Sequence, residues 1–229
     1  IKVLRKYVEE SLMKLNLDCL DLIQLHCPPW EVYYRPEIFG LFEDLKQEGK
    51  ILNMGVSVEK VEEALKAIEY ENVSTVQIIF NIFRQRPAEL FFKEAQKRNV
   101  GIIVRVPLAS GLLTGLYDRN TKFGTEDHRF FNREGAGFDK GETFSGVPYE
   151  IGLDAVEEIK ELFPEMNNLA PIALQWILQY DEVGCIIPGA SRPEQVLSNL
   201  SVYDLPTMSD MQFEKLNLLY QQQIKKYVH

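Results

Sequence analysis

"VSTVQIIFN", residues 73–81, is the stretch whose reading decides the fold class. In an extended segment alternate side chains share a face. Ser74, Val76, Ile78 and Phe80 make one mostly apolar face, suited to covering helices, while Thr75, Gln77 and Asn81 share the other with Ile79. "VGIIVRV" (100–106) divides the same way, with Ile102, Val104 and Val106 on its apolar side and Arg105 opposite. In "LDLIQLHCPP" (20–29), Leu20, Leu22, Gln24 and His26 lie on one face before two prolines end the strand. An open parallel sheet covered by helices on both sides needs apolar residues on both faces. Polar residues gathered toward the C-terminal ends of one face suit a (β/α) barrel, whose active site is built at that end.

The segments around these strands alternate in the manner of parallel strands with helical crossovers. The opening "IKVLRKYVEESLMKL" places Leu4, Tyr7, Val8, Ser11, Leu12 and Leu15 on one helical stripe, ended by Asn16. A helix near 37–49 leads through Gly49 into the strand 50–57. A helix over 59–70 follows, then the strand 73–81, a helix over 88–98 and the strand 100–106. Further helices are expected near 149–162 and 170–180, then the strand "VGCIIPG" (183–189) and helices near 193–200 and 209–226. No glycine-rich loop follows a first strand, as a dinucleotide-binding open sheet requires. "GLLTG" (111–115) has glycines at the wrong spacing after an interior strand. The fold class expected is α/β, a (β/α)8 TIM barrel represented by roughly its last five strands. Residues 1–229 read as one domain, since no charge block or Pro/Ser linker divides them.

Composition narrows the function classes. A hydrophobic fraction of 45% and a charged fraction of 26% are those of an ordinary globular protein. The net charge of −9 argues against general affinity for nucleic acid or anionic lipid, and no apolar run approaches membrane-spanning length. Cys19, Cys27 and Cys185 match no metal-ligand spacing and read as reduced thiols of a cytoplasmic protein. Adjacent strand residues point to opposite faces, so Cys27 is not expected to work with His26 as a nucleophilic pair. His128 lies in a long loop, about thirty residues, of a length typical of lids. It is expected at the surface.

"DCLDLIQLHCPP", "EGKILNMGVS", "VQIIFN", "VRVPLASGLLTG" and "IPGASRPEQVLSN" together resemble the aldo-keto reductases in order and spacing. The resemblance runs through essentially the whole chain. It implies an oxidoreductase that transfers a hydride between NADP(H) and a small aldehyde or ketone at the barrel's C-terminal mouth. His26 matches the catalytic histidine that polarises or orients the substrate carbonyl. Ser57 and Gln77 match the pair that hydrogen-bond the nicotinamide carboxamide. Many relatives have asparagine after that serine, where Val58 stands here. Arg105 occupies the place of a tyrosine stacked on the nicotinamide; a guanidinium is also planar.

The segment Pro107–Gly115, with Pro107, Leu108, Gly111 and Leu113, matches the loop whose amides hold the pyrophosphate. Gln195 and Asn199 fall at adenine-side positions. Some relatives place a lysine for the 2′-phosphate at Gly189, and Arg192 or Ser191 could supply that contact at a helix N-terminus.

Each assignment has a structural competitor. Gln77 could be a barrel glutamine satisfied by its neighbours, Arg105 half of an internal ion pair, and Arg192 a solvated loop residue. In the family an aspartate, a tyrosine and a lysine complete the catalytic set, and none of the tyrosines here, Tyr33 and Tyr34 included, sits in the matching motif. Eight βα units need about 250 residues. The chain, which opens inside a helix, is therefore expected to lack the first three units and to be inactive alone. The alternatives are a non-catalytic nicotinamide-nucleotide-binding relative and an unrelated metal-dependent hydrolase using His26. The strand ends offer Ser, Gln and Arg rather than the clustered His, Asp and Glu of a metal site, so no metal is expected.

Overall fold

Strands β1 (Leu20–His26), β2 (Ile51–Ser57), β3 (Val73–Ile79), β4 (Gly101–Arg105) and β5 (Val183–Ile186) form one sheet in sequential order. The coordinates, a computed structural model, describe residues 1–229. β1 pairs with β2, and β2 with β3, in parallel. An unreversed order is what successive units of a barrel produce, whereas a doubly wound sheet changes direction at a switch point. The expected α/β barrel architecture is thus the one observed, with each of the five expected strands in place. The chain divides into two compact units, residues 1–78 with 90–103, and residues 79–89 with 104–229.

The first unit opens with α1 (Lys2–Leu15), ended by Asn16 in the left-handed conformation (φ 54°), whose amide caps the Met13 carbonyl. α2 (Pro36–Gln47) follows a 3-10 turn at Trp30–Tyr34 and buries Ile38, Phe39, Leu41, Phe42 and Leu45. Proline at its first position needs no amide partner there. α3 (Val61–Ala67) is shorter than the 59–70 expected, because the Glu63 carboxylate accepts the Glu59 and Lys60 amides (2.9 and 3.1 Å) and so fixes its start. β2 and β3 carry the core of this unit in Ile51, Met54, Val56, Val73, Val76 and Ile78, all almost fully buried.

The helix expected over 88–98 is two short ones, α4 (Arg86–Leu90) and α5 (Phe92–Lys97), separated at Phe91. Phe91 and Phe92 are both buried. Neighbours on a continuous helix point about 100° apart, so a break there allows both rings inward.

In the second unit the long segment after β4 contains α6 (His128–Phe131) and several 3-10 turns. α7 (Tyr149–Leu162), α8 (Ala170–Ile177), α9 (Pro193–Leu200) and α10 (Asp210–Leu219) complete it. α8 is buried along its whole length; Trp176 packs against Phe80, Tyr180 and Phe213. The last expected helix stops at Leu219 and continues as a π turn and a 3-10 turn.

Candidate active site and nucleotide cleft

In the first unit the strand ends carry a directional polar chain. His26, Ser57 and Gln77 occupy one row across β1, β2 and β3. Ser57 Oγ donates to Gln77 Oε1 (3.4 Å), and Gln77 Nε2 donates to Gln24 Oε1 (3.0 Å). Ser57 is fully buried. His26 is exposed at the end of its strand, so it is not a core histidine. Gln77 is satisfied by side chains of the neighbouring strands, which fixes its amide in one orientation.

Cys27 departs from expectation. Its φ of 44° turns the backbone out of the strand, and its Sγ lies 3.6 Å from Ser57 Oγ. The thiol thus reaches the row of His26 instead of the opposite face. Val58 is buried, and its isopropyl group cannot make the amide contact an asparagine would.

In the second unit the chain turns sharply after β4. Val106, Ala109, Ser110 and Gly111 all have positive φ (51°, 47°, 56° and 91°). Leu108, between Val106 and Ala109, has φ −103° and ψ 15°. Within this turn the amides of Ala109 and Gly111 donate to the Val106 and Leu108 carbonyls (3.2 and 2.9 Å), so both are spent inside it. Ser110 Oγ donates to the Glu142 carbonyl (3.0 Å) and accepts the Phe144 amide (3.1 Å), tying this turn to the long segment. Gly111 is needed here: a Cβ would lie 2.4 Å from Tyr117 Oη.

The turn forms one wall of a cleft of about 1060 Å³ lined by residues of this unit alone. Pro107, Leu108 and Gly111 lie on it, and so do Gly189, Ser191, Arg192, Gln195 and Asn199 from the segment entering α9. Sequence reading therefore collected eight residues that do share one cleft. Leu113 does not join them; its side chain is buried, and its amide donates to the Leu108 carbonyl (3.1 Å). Arg105 is not on the wall either. It is buried and forms an ion pair with Glu142, the competitor to ring stacking.

Gln195 spends its side-chain carbonyl on its own helix, accepting the amides of Ser191 (2.7 Å) and Arg192 (3.2 Å). Its NH2 remains for a ligand. Arg192 is exposed and forms no ion pair.

Several wall residues carried no signal in the sequence. Tyr117, His128, Arg129 and Glu142 come from the long segment, whose length alone marked it. His128, expected at the surface, is half-buried in the wall with Nδ1 3.2 Å from Thr143 Oγ1. Arg129 donates to Asp127 and to Tyr117 Oη (2.6 Å) and stacks on Phe123 at 4.7 Å. That bonding from Arg129 holds the Asp127 carboxyl down at about 2. Arg129 is thereby neutralised within the wall, and Arg192 is left as the cation available to an anionic ligand.

The comparisons agree with this architecture. The chain is 25% identical over 223 residues to "Uncharacterized oxidoreductase YqkF" of Bacillus subtilis, covering 97% of this chain and 67% of that protein. It is 27% identical over 210 residues to the "NADH-specific methylglyoxal reductase" of Escherichia coli, with 88% and 60% covered. "Aldo-keto reductase yakc [NADP(+)]" of Schizosaccharomyces pombe is 27% identical, with 86% and 56% covered. Among solved structures, the glycerol dehydrogenase AKR11B4 from Gluconobacter oxydans superposes with a TM-score of 0.74 at 26% identity, over 96% of this chain and 64% of that one. The chain thus spans roughly three fifths of the length of several of these relatives. None of these likenesses supports the expectation that residues 1–229 are inactive. The family model described as "Aldo/keto reductase family" matches residues 2–221, and the chain belongs to that family of oxidoreductases.

Proposed function

We propose that this chain, a single domain of its family, takes part in NADP(H)-dependent reduction of small aldehydes or ketones. The observation that carries the reading is the second unit's cleft, whose walls combine the left-handed turn at 109–111 with the unpaired Arg192. The turn shapes the wall of the cleft, and Arg192 supplies a cation to meet a nucleotide phosphate. A bound nicotinamide supplies the hydride.

His26, exposed at its strand end, orients the substrate carbonyl by hydrogen bonding. Ser57 and Gln77 hold the carboxamide, Pro107, Leu108 and Gly111 shape the diphosphate turn, and Gln195 and Asn199 serve the adenine end. Gly189 leaves the entrance open, with nothing within 4 Å of where a Cβ would stand.

The relatives' names point both ways on the nucleotide, one NADH-specific and one [NADP(+)]. Arg192 favours the 2′-phosphate, whereas Ser191 gives both its amide and its hydroxyl hydrogen to Gln195 Oε1 (2.7 and 3.1 Å). No helix is long and apolar enough to cross a membrane. An exposed free thiol, Cys185, suits a reducing, cytoplasmic setting.

Nucleotide titration of Arg192→Ala tests the reading. A charge-assisted contact contributes about 1.5–3 kcal/mol, so NADPH affinity should fall roughly tenfold or more while NADH affinity holds. Equal loss for both nucleotides rules out the 2′-phosphate role.

A further inference from the structure

We propose that Gln24 is a positioning residue that sets the orientation of the Gln77 carboxamide, an inference that rests on the reading of Gln77 given above. Register places two rows of side chains one above the other on the same face of β1, β2 and β3. The upper is His26–Ser57–Gln77 and the lower is Gln24–Gly55–Thr75. Gly55 is what lets the lower row close. Thr75 Oγ1 fills the space above it, only 2.1 Å from where a Cβ would stand. Gln24 and Thr75 therefore meet across the middle strand, with Gln24 Nε2 donating to Thr75 Oγ1 at 3.4 Å. In this arrangement the NH2 end of Gln24 faces Thr75 and its carbonyl faces the upper row, where it accepts from Gln77 Nε2 at 3.0 Å.

The consequence lies in the two unlike ends of an amide. With its NH2 committed to Gln24, Gln77 presents its carbonyl to Ser57, whose hydroxyl donates to it at 3.4 Å. Ser57 has one hydrogen and spends it there, so its lone pairs remain, one of them beside the Cys27 thiol at 3.6 Å. A lone pair is what the NH2 of a nicotinamide carboxamide needs. Removing the Gln24 carbonyl leaves Gln77 free to rotate by half a turn. Its NH2 would then face Ser57, the serine hydrogen would be released, and donor would meet donor at the ligand. This also accounts for a strand that places a glutamine on the same face as its terminal histidine.

The test compares NADPH with adenosine 2′,5′-bisphosphate, which has no nicotinamide, in calorimetric titrations of the whole protein and of Gln24→Met, Gln24→Glu and Gln77→Met. Gln24→Met should bind NADPH about tenfold more weakly and the bisphosphate unchanged, as expected for one lost hydrogen-bonding orientation. Gln24→Glu keeps an acceptor toward Gln77 and should stay within about twofold of the unsubstituted protein. The positioning role is overturned if Gln24→Met and Gln24→Glu lose equally, or if Gln24→Met weakens both ligands together. It is also overturned if Gln77→Met loses NADPH affinity and Gln24→Met does not. Unchanged NADPH affinity in Gln77→Met, or no NADPH binding by the unsubstituted protein, overturns the reading of Gln77 and this inference with it.

Discussion

Separating Arg105 from Glu142 should cost more stability than any surface pair in the molecule. The two side chains are 8% and 20% exposed, whereas the Arg119–Glu150 pair stands at 60% and 58%. Exposed pairs contribute about 0–1 kcal/mol, but removing one partner of a buried pair strands the other charge at about 3–5 kcal/mol. The partial exposure of Glu142 puts Arg105→Met toward the lower end, roughly 3 kcal/mol. Glu142→Gln keeps a hydrogen-bond acceptor for the guanidinium but removes the carboxylate charge paired with it, so it too should be destabilising.

Urea unfolding of both single variants and of the double variant gives the coupling. Contacting charges should deviate from additivity by roughly 1.5–3 kcal/mol, because the double variant removes both members of this pair together. Single losses below about 1 kcal/mol that simply add would refute the buried-pair account. Nucleotide titrations of Arg105→Tyr and Arg105→Ala then address stacking. Matched stability losses with no selective binding effect exclude it, and retention of affinity by tyrosine alone restores it.

Gly111→Ala should destabilise by about 1–3 kcal/mol, from positive φ and from collision with Tyr117 Oη. Thermal melts should show Tyr117→Phe relieving only part of this, since the ring carbon Cζ lies 3.0 Å from the added Cβ. Gly55→Ala should cost at least as much and resist rescue by Thr75→Ala, because the Thr75 carbonyl oxygen stays 2.7 Å away. Gly189→Lys should leave the melting point nearly unchanged, having open space, while raising affinity for NADPH more than for NADH. Asp127, held at about 2 in the folded protein against an ordinary value of about 3.9, contributes stability that is present above pH ~4 and lost as pH falls through ~2. Hydrogen exchange around 127–133 should accelerate over that window, and Asp127→Asn should remove the dependence.

How much of this was legible beforehand differs by element. The alternation in "VSTVQIIFN" determined both the strand and which face carries Thr75 and Gln77, because a pleated strand has a period of two whatever surrounds it. The stop at Asn16 is equally local and stands where the sequence put it, while the helix expected near 37–49 runs from Pro36 to Gln47. The break at Phe91 was not legible, since its apolar spacing fits a continuous helix and only burial of both phenylalanines distinguishes the two. Leu113 fell in the right segment, but a turn of left-handed residues sends its side chain into the core, and no periodicity anticipates such a turn.

Arg105 shows the limit most clearly. Its position on the strand was determined locally, yet its partner stands 37 residues away in a segment without repeating pattern. Long-range pairing of this kind is decided by packing, which alone brings Glu142 to that strand end. The same holds for Gln24: sequence put it on the face of His26, and only the register across Gly55 gave its two amide ends different partners.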